Sequence, residues 1–156
     1  MSDALFAQGT KFFLSVSNAW VEAPELRAIN VPEAQSTFIE TTHLNSENND
    51  DEFIKGLNRK GNCTGEMAYL PQHAVILKLY ELRNALGLAG KTAMLVEFPD
   101  AAETVHYFEA YVESVGPPAA RVGGDLALPF SCKPTGKLRQ GTGGSGAISA
   151  DPTTWV

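Results

Sequence analysis

Apolar and polar positions alternate along much of the chain with the period of two that marks half-buried strands. Residues 11–17 (KFFLSVS) place Phe12, Leu14 and Val16 on one side. Residues 26–31 predict a weaker strand, closed by Pro32. Residues 36–44 (STFIETTHL) are rich in Thr and β-branched side chains, which suit a pleated surface. Further strands are predicted over residues 62–70, 91–98, 103–115 and 125–135. Pro99-Asp100 supplies a turn and residues 116–124 a loop containing Gly and Pro.

One segment has the helical period instead. Val75, Leu79, Leu82 and Leu86, widened by Ile76 and Tyr80, predict an amphipathic helix over about 72–86 with Gly87 as its C-terminal stop. Lys78, Glu81 and Arg83 fall on its other side. The expected fold is mainly β: an antiparallel sandwich or barrel of about seven strands with one flanking helix, a long inter-strand loop and flexible termini.

The long loop is residues 45–61, NSENNDDEFIKGLNRKG. Structureless connections of more than about 12–15 residues are uncommon in compact domains and are often functional. Charge is ordered here. Glu47, Asp50, Asp51 and Glu52 come first, Lys55, Arg59 and Lys60 come last, and Phe53, Ile54 and Leu57 lie in and beside the space between. A mobile surface loop is the plain interpretation. The apolar centre favours an arm that docks on another copy of the chain, acidic end against basic end.

Length and composition agree with one domain over residues 1–138, followed by a Gly-rich tail over 139–156 that ends in the bulky Trp155. The chain has 156 residues and is 44% hydrophobic, enough to bury a core. Its 18 acidic against 12 basic residues give a net charge of -6, which argues against gripping nucleic acid by counterion release. All but one of the acids lie in residues 1–136. There is no secretory signal pattern and no apolar run of bilayer-spanning length, so the two cysteines, Cys63 and Cys132, are expected to be reduced and buried in a soluble protein without membrane association.

Catalytic and cofactor chemistry finds little support. Gly141-x-Gly143-x-x-Gly146 matches a dinucleotide fingerprint in form, yet only ten residues follow it, including Pro152, and no helix can start there to receive a pyrophosphate. His43, His73 and His106 are scattered and form no metal-ligand spacing with the cysteines. Asp50 to Glu52 lack the alternating ligands and Gly of a calcium loop. Asn62-Cys63-Thr64 is a glycosylation sequon, irrelevant without export. No enzyme, metal site or cofactor is expected.

Carboxylates on strands are more informative. Glu40, Glu66, Glu97, Glu109 and Glu113 each lie within a predicted strand. On residues 105–115, Phe108, Ala110 and Val112 share one face, while Tyr107, Glu109, Tyr111 and Glu113 share the other. Such a face is either the solvated side of an antiparallel sheet or the lining of a wet space. Acids on several strands favour the lining.

The order of these features resembles the major tail tube proteins of long-tailed, non-contractile bacteriophages. The resemblance is carried by GTKFFLSV (9–16), STFIETTHLNSE (36–47), IKGLNRKGNCTGEMAY (54–69), HYFEAYVESVG (106–116) and LPFSCKPTGKL (128–138), and so spans most of residues 9–138. It implies a β core that assembles as homo-hexameric rings, with sheets of neighbouring subunits joined into an inner barrel and rings stacked into a helical tube. It implies a structural role in the virion tail, with assembly in the host cytoplasm. Partners would be a tape measure protein, a tail terminator and distal tail proteins, and DNA would pass through the lumen without specific binding. Glu40, Glu97, Glu109 and Glu113 would then be lumen-facing candidates, since wall carboxylates repel phosphates. Residues 45–61 would contact neighbouring subunits.

Two other functions remain compatible with the same sequence. One is the tube subunit of a contractile tail or type VI secretion system. The other is a monomeric, ligand-binding β-barrel module with an apolar cavity.

Overall fold

The computed structural model describes residues 8–44, 50–120 and 122–155. Its main layer is a seven-stranded antiparallel sheet in the order β2-β1-β7-β8-β9-β6-β3. The strands are β1 (Lys11–Val16), β2 (Ala19–Glu22), β3 (Leu26–Asn30), β6 (Cys63–Ala68), β7 (Lys91–Glu97), β8 (Val105–Val115) and β9 (Ala127–Gly141). β4 (Ala34–Glu40) and β5 (Phe53–Lys60) form a separate two-stranded hairpin. A mainly β fold with one helix is what the residue pattern predicts, although β2 and β5 lack the alternation that would have marked them.

The edge strands β2 and β3 are adjacent in sequence, so the sheet curls until its edges approach at one corner. Ala23 N–H donates to the Phe12 carbonyl at 2.8 Å and Ala68 N–H to the Glu25 carbonyl at 3.3 Å, which fixes that corner. The inner face carries the core: Phe12 and Leu14 from β1, Met94 and Val96 from β7, Phe108 and Ala110 from β8, Leu128 and Phe130 from β9, and Met67 from β6. Helix α1 (Ala74–Asn84) packs on this face through Val75, Ile76, Leu79 and Leu82.

The helix is shorter than its apolar pattern predicts. His73 Nδ1 accepts from Val75 N–H at 3.2 Å and starts it. Ala85 leaves the helical conformation and ends it, so Leu86 is exposed rather than part of the packed stripe. Gly87, with φ +63°, opens a short 3-10 turn that leads into β7.

The outer face of the sheet is half covered. Five consecutive residues of β7, from Thr92 to Val96, are buried. A strand buried on both faces reads as a continuous apolar run. Its cover is the C-terminal segment, residues 142–155, where composition predicts a flexible tail. Trp20 Nε1 donates to the Ile148 carbonyl at 2.7 Å, and Ser15 Oγ donates to the Ala150 carbonyl at 2.9 Å. Phe13, Leu95 and Val105, with Trp20, Tyr107 and Ile148, make a second small core beneath this strap.

Candidate assembly and lumen surfaces

The strap divides the outer face into two halves. The open half spans the end of β8 with β9, β6 and β3, where the register sets Tyr111 opposite Lys133, Thr64 opposite Ser131 and Ala28 opposite Glu66. It carries Glu66, Glu109 and Glu113 among Lys91, Lys133, Lys137, Ser131 and Asn62. The Lys91 ammonium lies 3.3 Å from the Glu109 carboxylate across β7 and β8. Glu113 accepts from the Asn62 amide and from Ser131 Oγ, which holds it on this face despite a bulge between Val112 and Ser114. Glu109 and Glu113 therefore share a polar, solvent-facing surface, with the apolar side chains of β8 turned to the core.

The other two lumen candidates lie elsewhere. Glu97 is beneath the strap: its carboxylate accepts from Ser145 N–H at 3.0 Å, lies 4.0 Å from the Lys11 ammonium, and is 15% exposed. Glu40 ends β4 opposite Phe53, on the hairpin rather than on the main sheet. Neither stands with Glu109 and Glu113 on the open half.

Residues 53–60 of the expected loop are a strand. β5 pairs antiparallel with β4, setting Ile39 opposite Ile54, Phe38 opposite Lys55 and Glu40 opposite Phe53. Ser36 Oγ to Asn58 Oδ1 at 2.8 Å and Thr37 Oγ1 to the Leu57 carbonyl at 2.9 Å add side-chain ties. The alternation is hidden in the sequence because β5 has apolar and polar residues on both faces. Phe38 and Ile39, adjacent on β4, project to opposite faces, and so do Phe53 and Ile54 on β5. All four are more than half exposed, and Leu57 is 82% exposed. Asp50, Asp51 and Glu52 sit at the tip end of β5, and Lys55, Arg59 and Lys60 follow along it. Glu47 falls outside the described residues. A two-stranded hairpin has little stability alone, and this one exposes apolar side chains on both faces.

The cysteines face each other across β6 and β9, buried and unbonded. Burial pushes the Cys63 thiol up to about 12 and raises that of Cys132 as well. Among the described residues no three His, Cys, Asp or Glu side chains come together in a way that could hold a metal ion, and no helix is long and apolar enough to cross a membrane.

Comparison with solved structures gives this architecture a context. The tail of an empty gene transfer agent particle with six-fold symmetry superposes with a TM-score of 0.66, 14% identity, and 87% of this chain on 98% of that one. The chain has the tail-tube fold. The SPP1 tail tube superposes with a TM-score of 0.63 at 12% identity, covering 90% of this chain and 81% of that one. The sheath-tube complex of an extracellular contractile injection system gives a TM-score of 0.68 at 10% identity, covering 91% and 94%. The same fold thus occurs in a tail tube and in a sheath-tube complex. No protein-family model matches the sequence, and no curated protein matches it.

Proposed function

We propose that this chain is the structural subunit of a tail tube, polymerising through its exposed hairpin and lining a conduit with the open half of its outer sheet face. The observation that carries the proposal is the β4–β5 hairpin: Phe38, Ile39, Phe53, Ile54 and Leu57 stand in solvent on an arm outside the core. Monomeric proteins seldom leave such a set uncovered. A second copy of the chain would cover it, and a head-to-tail contact of this kind closes rings or extends filaments. The edges β2 and β3 offer further unpaired backbone for strand addition between copies.

In this proposal the rings are hexameric and stack helically, the tube forms part of a virion tail after assembly in the host cytoplasm, and DNA passes through the lumen. A tape measure protein occupies the tube before ejection, and terminator and distal tail proteins close its ends. The open sheet face suits a conduit wall. Glu66, Glu109 and Glu113 stand there beside Lys91, Lys133 and Lys137, so the wall is charged, near neutral and hydrated, with no basic patch to grip phosphate. The role is mechanical rather than catalytic.

The paired substitution Phe53→Ser and Leu57→Ser tests the hairpin. Both side chains are outside the core, so a folded monomer that no longer forms tubes is expected from circular dichroism and negative-stain microscopy. Tubes at wild-type yield from this variant would remove the hairpin from the interface.

A further inference from the structure

Cys63 and Cys132 are directly opposite one another across the antiparallel pair β6–β9, and both point into the core. Directly opposed residues in such a pair have Cα atoms about 4.5 or 5.5 Å apart. Either spacing lies inside the range of about 4.4–6.8 Å that a disulfide requires. The thiols are unbonded and take no part in any polar network described above. Local freedom exists on both sides. Cys63 is the first residue of β6, directly after the exposed Asn62, and Cys132 faces Val112 next to the bulge in β8.

We propose that Cys63 and Cys132 are a redox modification site, reduced while the chain folds and closed by a small-molecule disulfide into a cross-strand staple that ties β6 to β9. The inference stands independently of the tube assignment. The step is thiol–disulfide exchange. The Cys63 thiolate attacks one sulfur of the oxidant RSSR, forming a mixed disulfide and expelling RS⁻. The Cys132 thiolate then attacks the Cys63 sulfur and expels the second RS⁻. The two thiol protons end on the two leaving groups, so the protein loses two electrons and two protons, and one RSSR becomes two RSH. Burial keeps both thiols protonated, which makes the reaction slow and limits it to moments when the start of β6 opens. The staple therefore closes after folding rather than during it.

Its consequence is mechanical. β5 leads through Gly61 and Asn62 into Cys63, so the bond would fasten the base of the hairpin to β9, the longest strand of the sheet. Closing a loop of this length restricts the unfolded chain by an amount that shifts the unfolding equilibrium on the order of a thousand-fold.

The test incubates the folded full-length protein with oxidised glutathione, then unfolds it in iodoacetamide and measures intact mass. The expected result is a product lighter by two hydrogens with no alkylation, a tryptic fragment joining the Cys63 and Cys132 peptides, and a higher urea midpoint than the reduced protein. Cys132→Ala should stop at a stable glutathione adduct on Cys63, because the resolving thiol is gone. Double alkylation after prolonged exposure, a wild-type product that stays glutathionylated, or an oxidised form with an unchanged or lower urea midpoint would overturn the proposal.

Discussion

Trp155 lies edge-on against Tyr107, with 4.9 Å between ring centroids and 76° between ring planes. The contact joins the C-terminal segment to the beginning of β8. The Arg139 guanidinium lies over the same indole at 5.5 Å, and the indole N–H donates to the Ser149 carbonyl at 2.8 Å. This clasp holds the strap over Phe13, Leu95 and Val105. Trp155→Ala is expected to lower unfolding free energy by about 1–3 kcal/mol, the usual loss for a packed aromatic that also stacks on a neighbour. Urea denaturation measures it. Removal of residues 142–156 should do more, exposing the second core and raising binding of a hydrophobic dye to the folded protein.

Gly65 has a steric role. A Cβ at this position would lie 2.7 Å from the Phe130 ring and 2.8 Å from the Ala28 carbonyl, where β6 runs between β3 and β9. Phe130 is buried against Phe12 and the Ala28 oxygen belongs to backbone, so neither side gives way freely. Gly65→Ala should cost about 1–3 kcal/mol as overpacking, read from the shift in thermal midpoint. A change within experimental error would show that β3 can move outward freely.

Acid sensitivity is expected at the β7–β8 turn. Asp100 is held below the usual carboxylate range first by the Thr104 hydroxyl and then by the Thr104 backbone N–H. A carboxylate with a lowered folded pKa stabilises the fold above its unfolded pKa, and this support disappears as pH falls through the folded value. Thr104→Val should raise the Asp100 pKa toward its ordinary value and flatten that part of the acid limb. Titration followed by NMR at the Asp100 side chain, in both proteins, shows the difference directly.

Much of the fold was legible in the residues because the relevant interactions are local. β1 and β8 show clear alternation, and the spacing of Val75, Leu79 and Leu82 marks the helix. The split of β8 into Phe108 and Ala110 on one side and Glu109 and Tyr111 on the other was also readable. β4 was anticipated by the strand expected over residues 36–44, but its partner β5 was not. β5 buries neither face in its own chain, so the strand period had no core to record it, and its charges looked like those of a loop. The strap was hidden for the opposite reason. Gly143, Gly144 and Gly146 dominate the start of its sequence, whereas its order comes from Trp20, Ser15, Glu97 and Tyr107, all distant in sequence. The same distance explains why Glu97 could not be separated beforehand from Glu109 and Glu113.

Charge on the open face should govern how a tube treats DNA. Replacing Glu66, Glu109 and Glu113 together by lysine turns a balanced face into a strongly basic one, leaves the buried face of β8 untouched and leaves the hairpin free to dock. Tubes of this variant are expected to retain DNA in co-sedimentation, with retention that falls steeply as salt rises. Wild-type tubes should retain little at any salt. Equal retention by both would place this face away from the conduit.

Polymerisation itself is the central claim, and electron microscopy of the purified wild-type protein at high concentration tests it most directly. Hollow tubes built of stacked six-fold rings, with the β4–β5 hairpin at a contact between copies, are the expected result. A chain that sediments as a monomer at every concentration and forms no tube in any condition would contradict it.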